Sequence, residues 1–275
     1  MTPYILFLLL CSFANAQQTY KFQLQRAQNQ NYLRESYPWV VAVLDQRYWL
    51  TRYIGVGSLI RPNVVLTACR ILNETTEYDL LVRAGGGNIS TTTDQRHVDL
   101  EVLKIVRHEG FSPYTAVNNI AMLILKSAFT MTDNIQMIQL NLSPEVIYNG
   151  YSCFFNGWGK AEWNSDDYPD VIKKIQIVRL SDDVCKIRLN RELPIGQFCG
   201  DGFEGKDCNG DGGAPLVCQT FTYSPSYVQV GIVNWGTRKP GDKRPIIFTD
   251  VLKLSKWINS TLNLSANFQS NDNYK

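Results

Sequence analysis

Histidine is nearly missing from this chain. Two residues in 275, His97 and His108, are its whole supply of imidazole, the side chain most often used as a general base. An excess of one charge is missing too. Lys and Arg number 27 against 25 Asp and Glu, a net +2, so there is no basic field to gather nucleic acid, and that partner class is excluded. Beyond residue 16 no apolar run approaches the roughly twenty residues that cross a bilayer, which excludes a membrane partner, and no internal repeat is visible. Neither metal nor cofactor is expected. The length suits one large domain or two small ones.

What is there begins with MTPYILFLLLCSFANA, a short apolar run ending Ala14-Asn15-Ala16 with no preceding Lys or Arg. It reads as a signal peptide, residues 1–16, cleaved before Gln17, and implies a secreted, extracellular protein. Five N-x-S/T sequons, at Asn73, Asn88, Asn141, Asn259 and Asn263, make some glycosylation expected. Without Cys11, six cysteines remain: Cys69, Cys153, Cys185, Cys199, Cys208 and Cys218. In an oxidising compartment most of these pair.

Residues 17–36 begin with the Gln-rich stretch QQTYKFQLQRAQNQN, which has little to bury and reads as a flexible polar extension. From Tyr37 the pattern changes to short β-rich runs separated by turns, among them PWVVAVL, YIGVGSLI, NVVLTA, DLLVRAG, EVLKIVRH, NIAMLIL and YVQVGIVNWG. This spacing predicts an all-β sandwich or barrel pair rather than βαβ units. GGGN at 85–88 and the TTTDQ that follows read as an exposed loop. Near the end Asp250 is a candidate N-cap, followed by Val251, Leu254, Trp257, Ile258 and Leu262 at helical spacing. That places the globular domain at 37–262 and leaves 263–275 as a polar tail, with SANFQSNDNYK frayed.

Seven blocks, YPWVVAVL, GSLI with NVVLTA, NNIAMLIL, CFFNGWG, GDGGAPLVC, VGIVNWG and PIIFTDV, occur in the order and spacing of the trypsin-like serine protease family, which the chain resembles over about residues 37–260. The resemblance implies two six-stranded antiparallel β-barrels with a cleft between them and a C-terminal helix. It also implies a serine nucleophile, a histidine base and an orienting aspartate. In place of TAAHC the chain has Thr67-Ala68-Cys69-Arg70-Ile71; in place of NDIAL it has Asn118-Asn119-Ile120-Ala121-Met122; in place of GDSGGP it has a block centred on Gly212. Arg70, Asn119 and Gly212 therefore stand at the three catalytic positions. An arginine side chain only donates hydrogen bonds, and a glycine has nothing to attack with. His97 and His108 both follow Arg70, and neither falls near the base position of the family fold. Gly210, Asp211 and Gly212 keep the shape of an oxyanion loop, read as inherited geometry without a nucleophile to serve.

The family's specificity pocket is floored six residues before the serine. That count gives Lys206, and a loop one residue shorter gives Asp207. Asn234 and Gly236 would line its walls, and Ile246 replaces a glycine in the PGVY-like segment Pro245-Ile246-Ile247-Phe248, so the pocket is expected to be filled. The family is activated by cleavage before an IVGG-like sequence, whose new amino terminus pairs with the aspartate preceding the serine. Asp211 is retained but no IVGG occurs, so Asp211 either has another cation or faces solvent. The leader NQNYLRESYPW and the GDGG block resemble masquerade-type insect serine protease homologues. Their clip domain is not expected here, because no cysteine lies between Gln17 and Ala68. The resemblance further implies the bridges Cys153–Cys218 and Cys185–Cys199, with Cα separations of about 4.4–6.8 Å. It also implies the joint loss of a bridge whose cysteines would stand at Gly55 and Ile71. Cys69 and Cys208 either stay thiols or join each other.

These readings point to a secreted, inactive homologue that binds extracellular proteins: active proteases, their substrates or their inhibitors. It would serve as regulator, cofactor or decoy in an immune-type cascade. An enzyme using Cys69 or Cys208 as nucleophile lacks a base to activate the thiol. A carrier of a small ligand or glycan has no motif behind it.

Overall fold

The computed structural model describes residues 37–47, 51–89, 97–144, 148–160, 168–202, 210–220, 226–235 and 244–272. The signal peptide, the polar extension, the TTTDQ segment, Lys206, Asp207, Cys208 and Gly236 lie outside them.

Six strands form the first barrel: β1 Val40–Asp45, β2 Arg52–Arg61, β3 Val64–Thr67, β4 Leu80–Ala84, β5 Val98–Arg107 and β6 Ala121–Leu125. They close in the order β1-β2-β3-β6-β5-β4. Val41 and Val43 of β1 point into its core with Leu59, Val65, Leu80, Val82 and Leu123. The alternate residues Val40, Ala42 and Leu44 are buried as well. Being covered on both faces is why this strand reads as an unbroken apolar run instead of alternating.

The second barrel uses β8 Tyr148–Gly157, β9 Lys173–Arg179, β10 Gln197–Gly202, β11 Pro215–Thr220, β12 Tyr227–Trp235 and β13 Ile246–Asp250. Their order is β11-β8-β9-β10-β13-β12, and pairing of β11 with β12 closes it. The two-residue strand β7, Gln139–Leu140, adds to β12 in parallel. Phe198 stacks on Phe248 at 5.4 Å between ring centres, and Phe155 meets Phe248 edge-on at 6.2 Å. Such offset and edge contacts are the favoured aromatic geometries. The architecture is the expected pair of six-stranded antiparallel barrels followed by a terminal helix.

Helix α1, Asp182–Leu189, is capped by Ser181, whose Oγ accepts from the Val184 amide. Helix α2, Ser255–Asp272, runs through most of the segment read as a frayed tail. Thr261 and Ser265 look polar but are buried, and Ser265 Oγ donates to the Leu262 carbonyl. No Gly or Pro interrupts the segment, and an established helix extends at little cost per residue. Asp250 caps the turn that leads into α2, its Oδ1 accepting from Leu252 and Lys253 amides at 2.9 and 3.2 Å.

The GGGN segment is also not a free loop. Asn88 bridges to Val171, the Ile172 amide donates to the Gly87 carbonyl, and Trp158 Nε1 donates to the same carbonyl at 3.0 Å. Glycine-rich composition here marks close backbone approach rather than exposure.

Candidate functional site

The segment Gly210–Gly213 is pinned from both barrels. Val56 of β2 donates its amide to the Gly212 carbonyl at 3.0 Å, and the Gly213 amide donates to the Val233 carbonyl of β12 at 2.9 Å. Tyr53 donates its hydroxyl to the Gly210 carbonyl at 2.8 Å. Gly213 has φ +86°, and a Cβ there would collide with the Val56 carbonyl and Thr67 Oγ1, so only glycine fits.

Arg70 and Asn119 meet beside this loop. Arg70 sits in a single 3-10 turn, Cys69–Leu72, directly after β3. Its amide donates to Asn119 Oδ1 at 2.9 Å. Because that N–H needs an acceptor, Asn119 must turn its Nδ2 the other way, where it donates to Asn234 Oδ1 at 2.7 Å. Asn234 Nδ2 in turn donates to the Ala116 carbonyl at 2.9 Å. Asn119 and Asn234 are both buried, and the chain of amides satisfies them. The Arg70 guanidinium leaves this network: it is exposed, and Nη2 donates to the Pro113 carbonyl at 3.1 Å.

Ile71, the next residue, fills the middle of the junction. Its Cγ2 lies 2.8 Å from where a Cβ on Gly212 would stand, and its Cδ1 lies 2.7 Å from where one on Gly55 would stand. One branched side chain is thus wedged between two glycines, and neither has room for a side chain while it stays. Among Arg70, Asn119 and Gly212 no group is placed to attack a carbonyl or to take a proton from one that does.

Asp211 points the opposite way, into the second barrel. It is fully buried. Its Oδ1 accepts from the Gly159 amide at 2.7 Å, and its Oδ2 lies 2.8 Å from Lys173 Nζ. The latter is an ion contact by distance rather than an aligned hydrogen bond. Of the two expectations for Asp211, another cation or solvent, the cation holds.

The trypsin family profile, described as "Trypsin", matches residues 27–258. The chain belongs to the trypsin family. It is 34% identical over 241 residues to phenoloxidase-activating factor 2 of Galleria mellonella, an alignment covering 81% of this chain and 79% of that protein. It is 31% identical over 242 residues to inactive CLIP domain-containing serine protease A8 of Anopheles gambiae, covering 82% and 64%. To inactive CLIP domain-containing serine protease A28 of the same mosquito it is 32% identical over 236 residues, covering 81% and 60%. The chain therefore spans less than two thirds of the two inactive relatives' length.

In this trypsin-family domain Ile246 opens β13 opposite Gly200 and is buried. By strand alternation it shares the face of Phe248, on the interior of the second barrel. The side chain of Asn234, a residue read as a pocket wall, bonds Asn119 and the Ala116 carbonyl. This link joins residues far apart in sequence, and only the asparagine ahead of the Trp235-Gly236 pair hints at it.

Cys153 is bonded to Cys218 and Cys185 to Cys199. The second pair has a Cα separation of 5.8 Å, but the first, at 4.1 Å, falls short of the expected range. Cys153 and Cys218 face each other directly across β8 and β11, and opposed antiparallel residues are held close by the ladder itself. Cys69 is a free, buried thiol that donates to the Ile120 carbonyl at 2.9 Å, and burial pushes its pKa up. His108 stacks on Trp257 of α2 at 5.2 Å, its Nδ1 accepting from the Gly110 amide. Burial holds this imidazole below its usual pKa. No helix among the described residues is long and apolar enough to cross a membrane.

Proposed function

We propose that this trypsin-family chain is a secreted, catalytically inactive homologue that acts by binding proteins in an extracellular protease cascade of the immune type. The observation that carries the reading is Ile71, wedged where a side chain on Gly212 would have to go. A glycine alone could be a recent loss in an otherwise intact site; a branched side chain packed into the vacancy is a site rebuilt around the loss. Arg70 and Asn119, engaged with Pro113 and Asn234, support the same conclusion. The names of the relatives, a phenoloxidase-activating factor and inactive proteases, support a role beside active proteases. A cysteine enzyme is disfavoured, because Cys69 is buried with its thiol hydrogen-bonded and its ionisation opposed.

The partners in this reading are active proteases, their substrates or their inhibitors, engaged by the outer loops. In this reading the old specificity pocket is closed by Ile246, and the burial of that residue supports it. Co-purification from the secreting tissue's fluid tests the role: recovery of protease-cascade components supports it, and recovery of a glycan or small ligand alone contradicts it. Benzamidine tests the pocket. No binding to the native protein and measurable binding to Ile246→Gly are expected; tight binding to both would show the pocket to be open.

A further inference from the structure

We propose that Lys173 is a built-in replacement for the amino-terminal ammonium of the family, so that the Gly210–Gly213 loop is formed in the uncleaved chain and needs no proteolytic processing. The inference concerns the loop and does not depend on which partner the protein binds. Asp211 is fully buried, and a buried carboxylate without a cation is strongly disfavoured. Whichever conformation brings a cation to it is therefore selected. In this chain the cation arrives by strand register. Lys173 is the first residue of β9 and sits directly opposite Gly157 of β8. A Cβ on Gly157 would collide with Asp211 Oδ1, so the missing side chain opens the space in which carboxylate and ammonium meet.

The ammonium is held on both sides. Lys173 Nζ lies 2.8 Å from Asp211 Oδ2 and donates to the Lys160 carbonyl at 2.8 Å, and only 15% of its side chain is exposed. Asp211 Oδ1 meanwhile takes the Gly159 amide, and Tyr53 ties down the neighbouring Gly210 carbonyl. The Lys173 ammonium, the Gly159 amide, the Lys160 carbonyl and the Tyr53 hydroxyl are all supplied from within the two barrels. The cation that the buried Asp211 carboxylate needs is thus supplied by a strand residue and not by a new chain end.

Hydrogen–deuterium exchange on the full secreted chain tests this, with its intact amino terminus confirmed by mass. Peptides covering 152–160 and 210–220 are compared in native protein, in Lys173→Met and in Lys173→Met/Asp211→Asn. The native uncleaved chain is expected to protect both segments. Lys173→Met should accelerate exchange there by at least about tenfold while β1–β3 peptides stay unchanged, and the double variant, with no buried charge to satisfy, should recover protection. Unchanged exchange in Lys173→Met overturns the proposal, as does protection that appears in the native chain only after cleavage upstream of Pro38. If Lys173→Met fails to fold, the double variant decides: recovery of folded protein supports the pair, and continued failure overturns it.

Discussion

Replacing Gly212 by serine would put back the atom the family uses, and the structure predicts that the protein resists it. The new Cβ would stand 2.8 Å from Ile71 Cγ2, whereas carbon atoms rest at about 3.5–4.0 Å. The clashing Cγ2 branches directly from Cβ, so Ile71 can move it aside only by leaving its χ1 rotamer, which is stiff in a β-branched residue. Forcing an extra group into a packed site costs about 1–3 kcal/mol. At about 2 kcal/mol, a domain of this size should lose roughly 4–8 °C of Tm. Ile71→Ala alone gives up a half-buried side chain and should cost about 1–2 kcal/mol. The two changes relieve each other: with Ile71 trimmed the serine has space, so the double variant should be more stable than the sum of the singles by about 1 kcal/mol. Reversible unfolding of the four proteins, followed by tryptophan fluorescence, measures the cycle. If Gly212→Ser leaves stability unchanged and the two effects simply add, the wedge is not what the geometry says it is.

Other groups give sharper readouts elsewhere. Arg47 grips the buried Asp45 carboxylate through Nε and Nη2, at 2.8–3.1 Å, and holds its pKa below the usual value. A lowered carboxylate contributes stability above its unfolded pKa of about 3.9 and loses it as pH falls through the folded value. Arg47→Met should therefore cost about 1 kcal/mol at pH 7 and almost nothing near pH 2; a pH-independent loss would contradict this. Cys69 should resist alkylation at pH 8 in native protein and react on denaturation, and rapid native labelling would show that the thiol is accessible. Among the sequons, Asn73, Asn259 and Asn263 are exposed while Asn141 is buried. Glycopeptide mapping should accordingly find Asn141 bare, and a glycan there would place it on the surface.

The strands were legible because their apolar runs are local and their turns well marked, and block order then carried both barrels. Individual packing partners were not. Lys173 looks like any polar residue at the start of a strand, and only the β8–β9 register sets it against Asp211. Ile71 reads as a lost cysteine, whereas its part as a wedge depends on β2 and the Gly212 loop closing on it from two sides. The bond from Asn119 to Asn234 was not legible, because sequence spacing does not reveal which way an amide turns. The extent of α2 was missed for a related reason: Thr261 and Ser265 signal solvent by composition, yet they are buried.

Turnover is the most direct test of an inactive site. The purified protein, with its intact mass confirmed, is incubated with a broad peptide library and in parallel with a fluorophosphonate probe for active serines. The arrangement of Arg70, Ile71, Asn119 and Gly212 predicts no hydrolysis above buffer and no labelled protein. Hydrolysis that rises with protein concentration and is abolished by a serine-directed inhibitor would contradict it.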